Sequence, residues 1–167
     1  MKRHLLAAGA VIALAAGFAT AASAENQVAI YQYGTHNANG AAQFGDYNRL
    51  GVSQYGRHHY ARATQRGYWN YVYLQQRGYA NRSMTDQLGD HNTAVTGQEG
   101  SGHSAAISQA GYNNVAGVAQ IGSNHTAYTT QDGSNNTSAT IQVGNGQSAE
   151  THQAGDGNIS AVIQGGF

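Results

Sequence analysis

The sequence predicts an all-β fold, a β-solenoid of 22-residue coils in which each coil has two strands and two glycine turns. Three observations favour this fold class. Glutamine recurs every eleven residues in one register, and glycine follows each glutamine two places later. The residues before each glutamine alternate between small or β-branched side chains and variable ones, as in a strand with one buried face. A fixed period along a chain also indicates a repeat architecture.

The 22-residue coil is predicted because alternate eleven-residue units carry asparagine at the first position of the strand. We expect stacked coils to place each amide over its equivalent, so that buried glutamines and asparagines form hydrogen-bonded ladders. The glycines supply positive φ in the turns. The glutamines are Gln32, Gln43, Gln54, Gln65, Gln76, Gln87, Gln98, Gln109, Gln120, Gln131, Gln142, Gln153 and Gln164. The asparagines are Asn26, Asn48, Asn70, Asn92, Asn114, Asn136 and Asn158. The turn glycines are Gly34, Gly45, Gly56, Gly67, Gly78, Gly89, Gly100, Gly111, Gly122, Gly133, Gly144 and Gly155.

Residues 1–24 have the pattern of a signal peptide for export. Lys2, Arg3 and His4 give a basic start, residues 5–18 are apolar, and residues 22–24 (ASA) form a small-residue cleavage site. The apolar run is too short for a membrane span, and no span is predicted in the mature chain. The chain has no cysteine, so disulfides do not hold the exported protein together.

Residues 25–167 are predicted to form one repeat domain. A half unit at 26–36 precedes six repeats at 37–58, 59–80, 81–102, 103–124, 125–146 and 147–167. Neither end of this domain carries a capping segment, and exposed coil edges are templates for further pairing. We therefore expect the chain to bind itself and form a head-to-tail homopolymer.

Charge is distributed unevenly along the predicted domain. Residues 25–82 carry six arginines and two acidic residues, whereas residues 83–167 carry six acidic residues and neither lysine nor arginine. Head-to-tail stacking would bring the positive first coils of one copy against the negative last coils of another, with a modest and salt-sensitive attraction. This distribution differs from the strong basic field of a nucleic-acid binder, and no specific nucleic-acid recognition is predicted.

The sequence predicts no enzyme and no catalytic, cofactor or metal site. GxSxG, P-loop, HExxH and catalytic-triad patterns are absent from it. His59, His103 and His125 take the asparagine position of the repeat, where a hydrogen-bonded ladder member is favoured over a metal ligand. Since His103 and His125 should stack one coil apart, their joint protonation is unfavourable. We expect the stack to loosen as the pH falls toward about 6.

Aromatic residues concentrate in the first half of the predicted domain. Eleven of fourteen lie between Tyr31 and Tyr79, in the half that holds all six arginines. One interpretation is cross-strand stacking that stiffens the first coils. The other is an adhesive surface for sugars, nucleic-acid backbone or neighbouring fibrils. The residues of that predicted surface are Arg66, Trp69, Tyr71 and Arg77.

The segment 103–120 carries a family resemblance. Its residues match the spacing Ser-x5-Gln-x-Gly-x2-Asn-x-Ala-x3-Gln, with histidine in place of serine, at His103, Gln109, Gly111, Asn114, Ala116 and Gln120. This pattern resembles the curlin repeat of bacterial curli fibre subunits. The opening AIYQYG at 29–34 is similar to the first repeat of major curlin subunits. Two features depart from the family: asparagine, histidine or glutamine replaces the first serine of the repeat, and the usual glycine-rich amino-terminal segment is not recognisable.

The resemblance implies a secreted structural subunit that self-assembles into curli-type functional amyloid fibres for cell adhesion and biofilm matrix. It implies an extracellular fibre on a Gram-negative-type bacterium, with a second curlin subunit and an outer-membrane curli secretion system as partners. Matrix polysaccharide or a host surface would be the adhesion target. One alternative is a minor curlin subunit that nucleates assembly at the cell surface. Another is a soluble β-solenoid that binds polysaccharide or ice, although the threonines of this chain fall largely on the inward face.

Overall fold

Strands fill most of the chain that the structure describes. The computed structural model describes residues 25–166, and the predicted export signal at 1–24 lies outside the described residues. The described part contains thirteen strands and no helix. The strands are β1 (Gln27–Thr35), β2 (Ala38–Phe44), β3 (Arg49–Arg57), β4 (Tyr60–Arg66), β5 (Tyr71–Tyr79), β6 (Arg82–Asp90), β7 (Thr93–Ser101), β8 (Ser104–Tyr112), β9 (Val115–Ser123), β10 (Thr126–Ser134), β11 (Thr137–Asn145), β12 (Ser148–Asp156) and β13 (Ile159–Gly166).

Strands alternate between two parallel sheets, and this confirms the predicted β-solenoid. The seven odd-numbered strands form one sheet, here the odd sheet, and the six even-numbered strands form the other, the even sheet. Each strand pairs with the equivalent strand one coil later at an offset of 22 residues, as Val28 does with Leu50 and Val95 with Gly117. The repeat period of the sequence is therefore the distance along the chain between hydrogen-bonded neighbours.

The core lies between the two sheets and is thin. Along each strand the buried residues alternate with outward ones, as in Val72, Leu74 and Gln76 of β5. Aliphatic side chains dominate the early coils, whereas alanine and threonine fill many inward positions of the later ones. Within residues 25–166, the hydroxyl of five buried threonines has no hydrogen-bond partner, and each such group costs about 1–3 kcal/mol. These residues are Thr85, Thr96, Thr129, Thr140 and Thr151.

Most strands continue past the glycine that was predicted to lie in the turn, whereas β2 and β4 end before it. β9 begins at Val115, passes through Gln120 and Gly122, and ends at Ser123. Backbone pairing therefore continues past the turn glycine. The chain then reverses within the two residues Asn124 and His125 before β10 begins. The predicted turn was placed too early because a glycine inside a strand was read as the end of that strand.

A search of the described chain finds no helix long and apolar enough to cross a membrane.

Alanine at a turn glycine should disrupt the stack far more than alanine at an outward glycine. Gly78 has φ 108°, which an L side chain rarely adopts, and a Cβ there would collide with the carbonyl oxygen of Gly100 in the next coil. We expect Gly78→Ala to cost about 2 kcal/mol or more. Gly40→Ala is the control, because a Cβ there meets nothing within 4 Å. The measurement is the guanidinium concentration at which the β-type circular dichroism is lost. Equal midpoints for the two variants would contradict the expectation.

Candidate functional site

Two columns of glutamine run through the interior, one along each sheet. Gln32 donates its Nε2–H to Oε1 of Gln54 at 2.6 Å, and Gln54 donates in the same way to Gln76 at 2.8 Å. Eleven such bonds of 2.6–3.0 Å connect successive coils in the described chain. We call these two columns the glutamine ladders. Every bond in them points the same way, from an earlier coil to a later one.

The second N–H of a ladder glutamine reaches the opposite sheet. Gln98 on β7 donates one N–H to Gln120 at 2.9 Å and the other to the carbonyl oxygen of Arg82 on β6, also at 2.9 Å. An equivalent bond across the core is made by each ladder glutamine from Gln43 to Gln164. Because a buried amide without a partner costs about 1–3 kcal/mol, this arrangement is what lets a polar side chain occupy the core. The ladders join coil to coil and sheet to sheet.

The asparagines form a column of a different kind from the one expected. Asn48 accepts the backbone N–H of Asn70 on its Oδ1 at 3.0 Å, and its Nδ2 donates to the carbonyl oxygen of Gly67 at 2.9 Å. An amide-to-amide bond within this column occurs between Asn158 and Asn136, at 2.9 Å, and the other bonds run from side chain to backbone. The side chain is one carbon shorter than glutamine and lies at the corner, where the backbone of the next coil is the nearest partner. Each asparagine therefore holds the corner of the following coil in register.

Histidine reproduces the asparagine geometry in the other column. The Nε2 of His103 lies 3.0 Å from the carbonyl oxygen of Glu99, and its Nδ1 lies 3.3 Å from the backbone nitrogen of His125. The carbonyl requires a donor at Nε2, and the backbone N–H requires an acceptor at Nδ1. The neutral imidazole with its proton on Nε2 meets both requirements. His59 has the same two contacts, with Tyr55 and Asn81.

Protonation of these rings conflicts with their surroundings. Burial lowers the pKa of His59 and His103 below the ordinary value, more than the backbone hydrogen bonds raise it. For His103 the nearby His125 lowers the pKa further, and the two rings stack with centroids 5.0 Å apart and planes 6° from parallel. A proton on Nδ1 would also face the backbone N–H that this nitrogen accepts. The surroundings of His59 and His103 therefore favour the neutral imidazole over the protonated one.

Besides the glycine, each corner of the described chain contains a second residue with positive φ, which was not predicted from the sequence. It stands immediately before the asparagine or histidine of the corner, as in Tyr47, Trp69 and His91, which have φ of 60°, 59° and 59°. A bulky L residue in this conformation costs about 1–2 kcal/mol. Later coils place residues that tolerate it there, such as Asn113 and Gly157. That recurrence of asparagine and glycine is the signal in the sequence that could have revealed the second corner residue.

The bulky corner residues stack along the solenoid axis. The rings of Tyr47 and Trp69 lie 4.4 Å apart and 8° from parallel, and His91 follows at 6.3 Å, also at 8°. Such pairs contribute about 0.5–1.5 kcal/mol each, which offsets part of the backbone cost. Both faces of the Trp69 ring thus lie against neighbouring rings, while the residue as a whole is 53% exposed. Trp69 therefore remains partly open to solvent although rings lie on both sides of it.

The four residues predicted to form an adhesive surface lie on three parts of the molecule. Trp69 stands at the corner between β4 and β5, Tyr71 begins the outward face of β5, and Arg66 ends β4 on the other sheet. Arg77 is six residues from Tyr71 along β5, a distance of about 20 Å. Each arginine packs over an aromatic ring of the preceding coil, 5.5 and 5.8 Å from its centroid. The structure does not gather the four into one patch, and their role in adhesion stays a prediction.

Ionisable side chains are dispersed over the described surface. Among residues 25–166, no group of three or more His, Cys, Asp or Glu is placed to hold a metal ion. Arg62 and Asp86 form an exposed ion pair at 3.5 Å, and His152 contacts Glu150 at 2.8 Å. Exposed pairs of this kind contribute about 1 kcal/mol or less.

Comparison with known proteins identifies the repeat. A family model described as curlin associated repeat matches residues 24–56, 80–111 and 104–133, which together cover 87 of the 167 residues. A search of curated proteins finds no match to the chain.

Removal of one ladder glutamine should destabilise the whole stack. Gln98→Ala leaves two buried groups without a partner, an N–H of Gln76 and Oε1 of Gln120, and it also removes the side-chain bond to the carbonyl oxygen of Arg82. At about 1–3 kcal/mol for each unpaired group, we expect a loss of about 2–6 kcal/mol. Gln75→Ala is the matched control on the outward side of β5. Guanidinium midpoints of the assembled proteins give the comparison, and a loss below 1 kcal/mol for Gln98→Ala would show that the ladder is not structural.

Stability should fall on mild acidification. Because the folded chain lowers the pKa of His59 and His103, their contribution is fully present above the unfolded-state pKa of about 6.5. It is lost as the pH falls from there through the lower folded-state pKa. We expect His103→Asn to weaken this pH dependence, since asparagine occupies the equivalent corner position elsewhere. His152→Asn, at an exposed site, is the control. Denaturation midpoints between pH 5 and pH 8 test this, and identical slopes in all three proteins would refute it.

Proposed function

The chain belongs to the curlin repeat family, and from that membership we propose that it is a structural subunit that self-assembles into curli-type amyloid fibres. The observation that carries the proposal is the in-register parallel stack, in which each coil presents to the next the same backbone, glutamine and corner groups. A stack of this kind has no internal limit to its length. A further copy can add the next coil by the contacts that already join the coils within one chain.

The glutamine ladders favour head-to-tail addition. Within the described chain, Oε1 of Gln32 and Gln43 accepts no side-chain N–H, and at the other end of the stack Gln153 and Gln164 each make a single bond through Nε2, to the opposite strand. Acceptors therefore lie at one end and donors at the other. A second copy stacked in the same orientation continues both ladders, whereas an inverted copy would bring donors against donors.

The charge distribution supports the same orientation. The arginines lie in the coils at the acceptor end, and most acidic residues lie toward the donor end. Head-to-tail contact therefore joins surfaces of opposite charge, and head-to-head contact joins like charges. The attraction is screened over about 10 Å at 0.1 M salt, so it contributes to the choice of orientation more than to affinity.

Curlin family members form extracellular fibres of Gram-negative bacteria. We extend this to the present chain and propose secretion, a role in cell adhesion and biofilm matrix, and contact with a second curlin subunit and an outer-membrane secretion system. The basic and apolar start of the sequence supports export. The outward residues vary from coil to coil while the inward ones repeat, and this leaves the surface available for contacts with other matrix components.

The test is assembly of the purified chain 25–167 at neutral pH, with fibre diffraction on the product. We expect fibres with a meridional reflection near 4.7 Å and an equatorial one near 10 Å. Gln98→Ala should assemble more slowly than wild type, with Gln75→Ala as control. A clear solution of monomers with β-type circular dichroism would contradict the proposal and favour a soluble binding solenoid.

A further inference from the structure

The outward face of the odd sheet is apolar from β7 to β13. On successive strands its outward positions hold Val95, Val115, Ile121, Ile141, Val143 and Ile163. The side chains of the central strands are well exposed, between 37% and 49% for Val115, Ile121, Ile141 and Val143. We call this outward surface of β7, β9, β11 and β13 the apolar face. The largest apolar patch on the surface of a protein is often a site of interaction.

The same coils are polar on their other side. The outward positions of β8, β10 and β12 hold mainly serine, threonine and alanine, with no valine, leucine or isoleucine among them, and they also carry Tyr112, Tyr128, Asp132, Glu150 and His152. Of the six acidic residues after residue 82, Glu99 alone lies on the apolar face, at its edge. The asymmetry shows that an apolar outward surface is not a general property of these repeats. Because the face carries neither arginine nor lysine, it lacks the groups that attract an anionic lipid surface.

The apolar face has a depression and raised side chains that could fit those of a second sheet of the same shape. A shallow depression lies where Gly117 and Ala119 face solvent, and Val95, Ala139 and Ile141 form its rim. Flat sheets with β-branched ridges and small-residue depressions pack face to face at about 10 Å. A two-fold arrangement would allow each copy to place its Ile141 side chain in the depression of the other, as a self-complementary interface requires.

The area of the apolar face indicates whether a single subunit or an assembled fibre could use it to bind a second copy. Four strands about 4.7 Å apart, with four outward positions about 6.6 Å apart, give a surface of roughly 500 Å². A stable pair of proteins buries about 800 Å² on each partner, so one subunit falls short. In a polymer the face recurs with every subunit, and the buried area adds up along the axis.

We propose that the apolar face joins two fibres of this chain side by side, sheet against sheet, while leaving the unassembled subunit monomeric. The proposal rests on the proposed function, since it requires a fibre. The occupant is a second copy because only a polymer with the same repeat distance can match the face at every subunit.

Mass per length of assembled fibres, measured by scanning transmission electron microscopy, tests the proposal. Wild-type fibres should have twice the mass per length of Ile141→Lys fibres, since a lysine in the interface cannot be desolvated without a partner. Thr130→Lys places the same charge at the equivalent position of β10 on the polar side, and it should leave the wild-type value unchanged. Pairing that persists in Ile141→Lys, or is lost equally in Thr130→Lys, overturns the proposal.

A second measurement covers the case in which Ile141→Lys does not assemble. The chain has no cysteine, so Ile141→Cys and Thr130→Cys each introduce a single thiol. In assembled fibres the thiol from Ile141→Cys should react at least tenfold more slowly with a charged maleimide than the thiol from Thr130→Cys. Equal reactivity means that no second fibre covers the face, and the face would then be open to a partner of another kind. Fibres that form but stay single refute the pairing alone, whereas failure of wild type to form fibres refutes the proposed function as well.

Discussion

The structure depends on one interaction, the hydrogen-bonded glutamine amide in the space between the sheets. A primary amide in an apolar interior is unfavourable unless both N–H groups and the oxygen are paired. Here the oxygen accepts from the coil before, one N–H donates to the coil after, and the other N–H crosses to the facing sheet, as at Gln98. This set of partners exists only when successive coils are in register by 22 residues. The glutamine therefore specifies the register as well as stabilising it, because a slip of one residue leaves buried amides unpaired.

The rest of the core is consistent with this constraint. Each glutamine side chain must reach the opposite backbone, and it does so even in the strands that bury Leu50 and Leu74, where Gln54 and Gln76 make this bond at 3.1 Å. Alanine dominates one inward position, and threonine takes much of the next in the later coils. The threonine methyl fills the space, but hydroxyls such as that of Thr96 find no partner in the described chain. We accordingly expect the later coils to be less stable than the two successive coils that bury Leu50, Val52, Val72 and Leu74.

Much of the architecture follows from periodicity. The eleven-residue spacing of glutamine predicts which side chains face inward, and the alternation of asparagine predicts that two strands make one coil. What periodicity cannot supply is conformation at single residues. Tryptophan rarely adopts the left-handed conformation, so Trp69 itself gives no sign of it, and only the asparagines and glycines at the equivalent position of later coils indicate it. Asn48 bonds to backbone because its position at the corner depends on where the strand ends. The residues of the adhesive surface predicted around Trp69 do not form one patch, because outward residues of the two sheets, such as Arg66 and Tyr71, point in opposite directions.

The uniform direction of the glutamine ladders gives the stack an electrical polarity. Backbone carbonyls of a strand point alternately up and down the stack, and their dipoles largely cancel. The glutamine amides do not cancel, because every ladder bond donates toward a later coil. At about 3.5 debye each, the eleven amides that donate along the ladders of the described chain sum to roughly 40 debye along the axis. A polymer with subunits in one orientation adds these moments end to end, and becomes a permanent dipole that lengthens as it grows and turns in an external field.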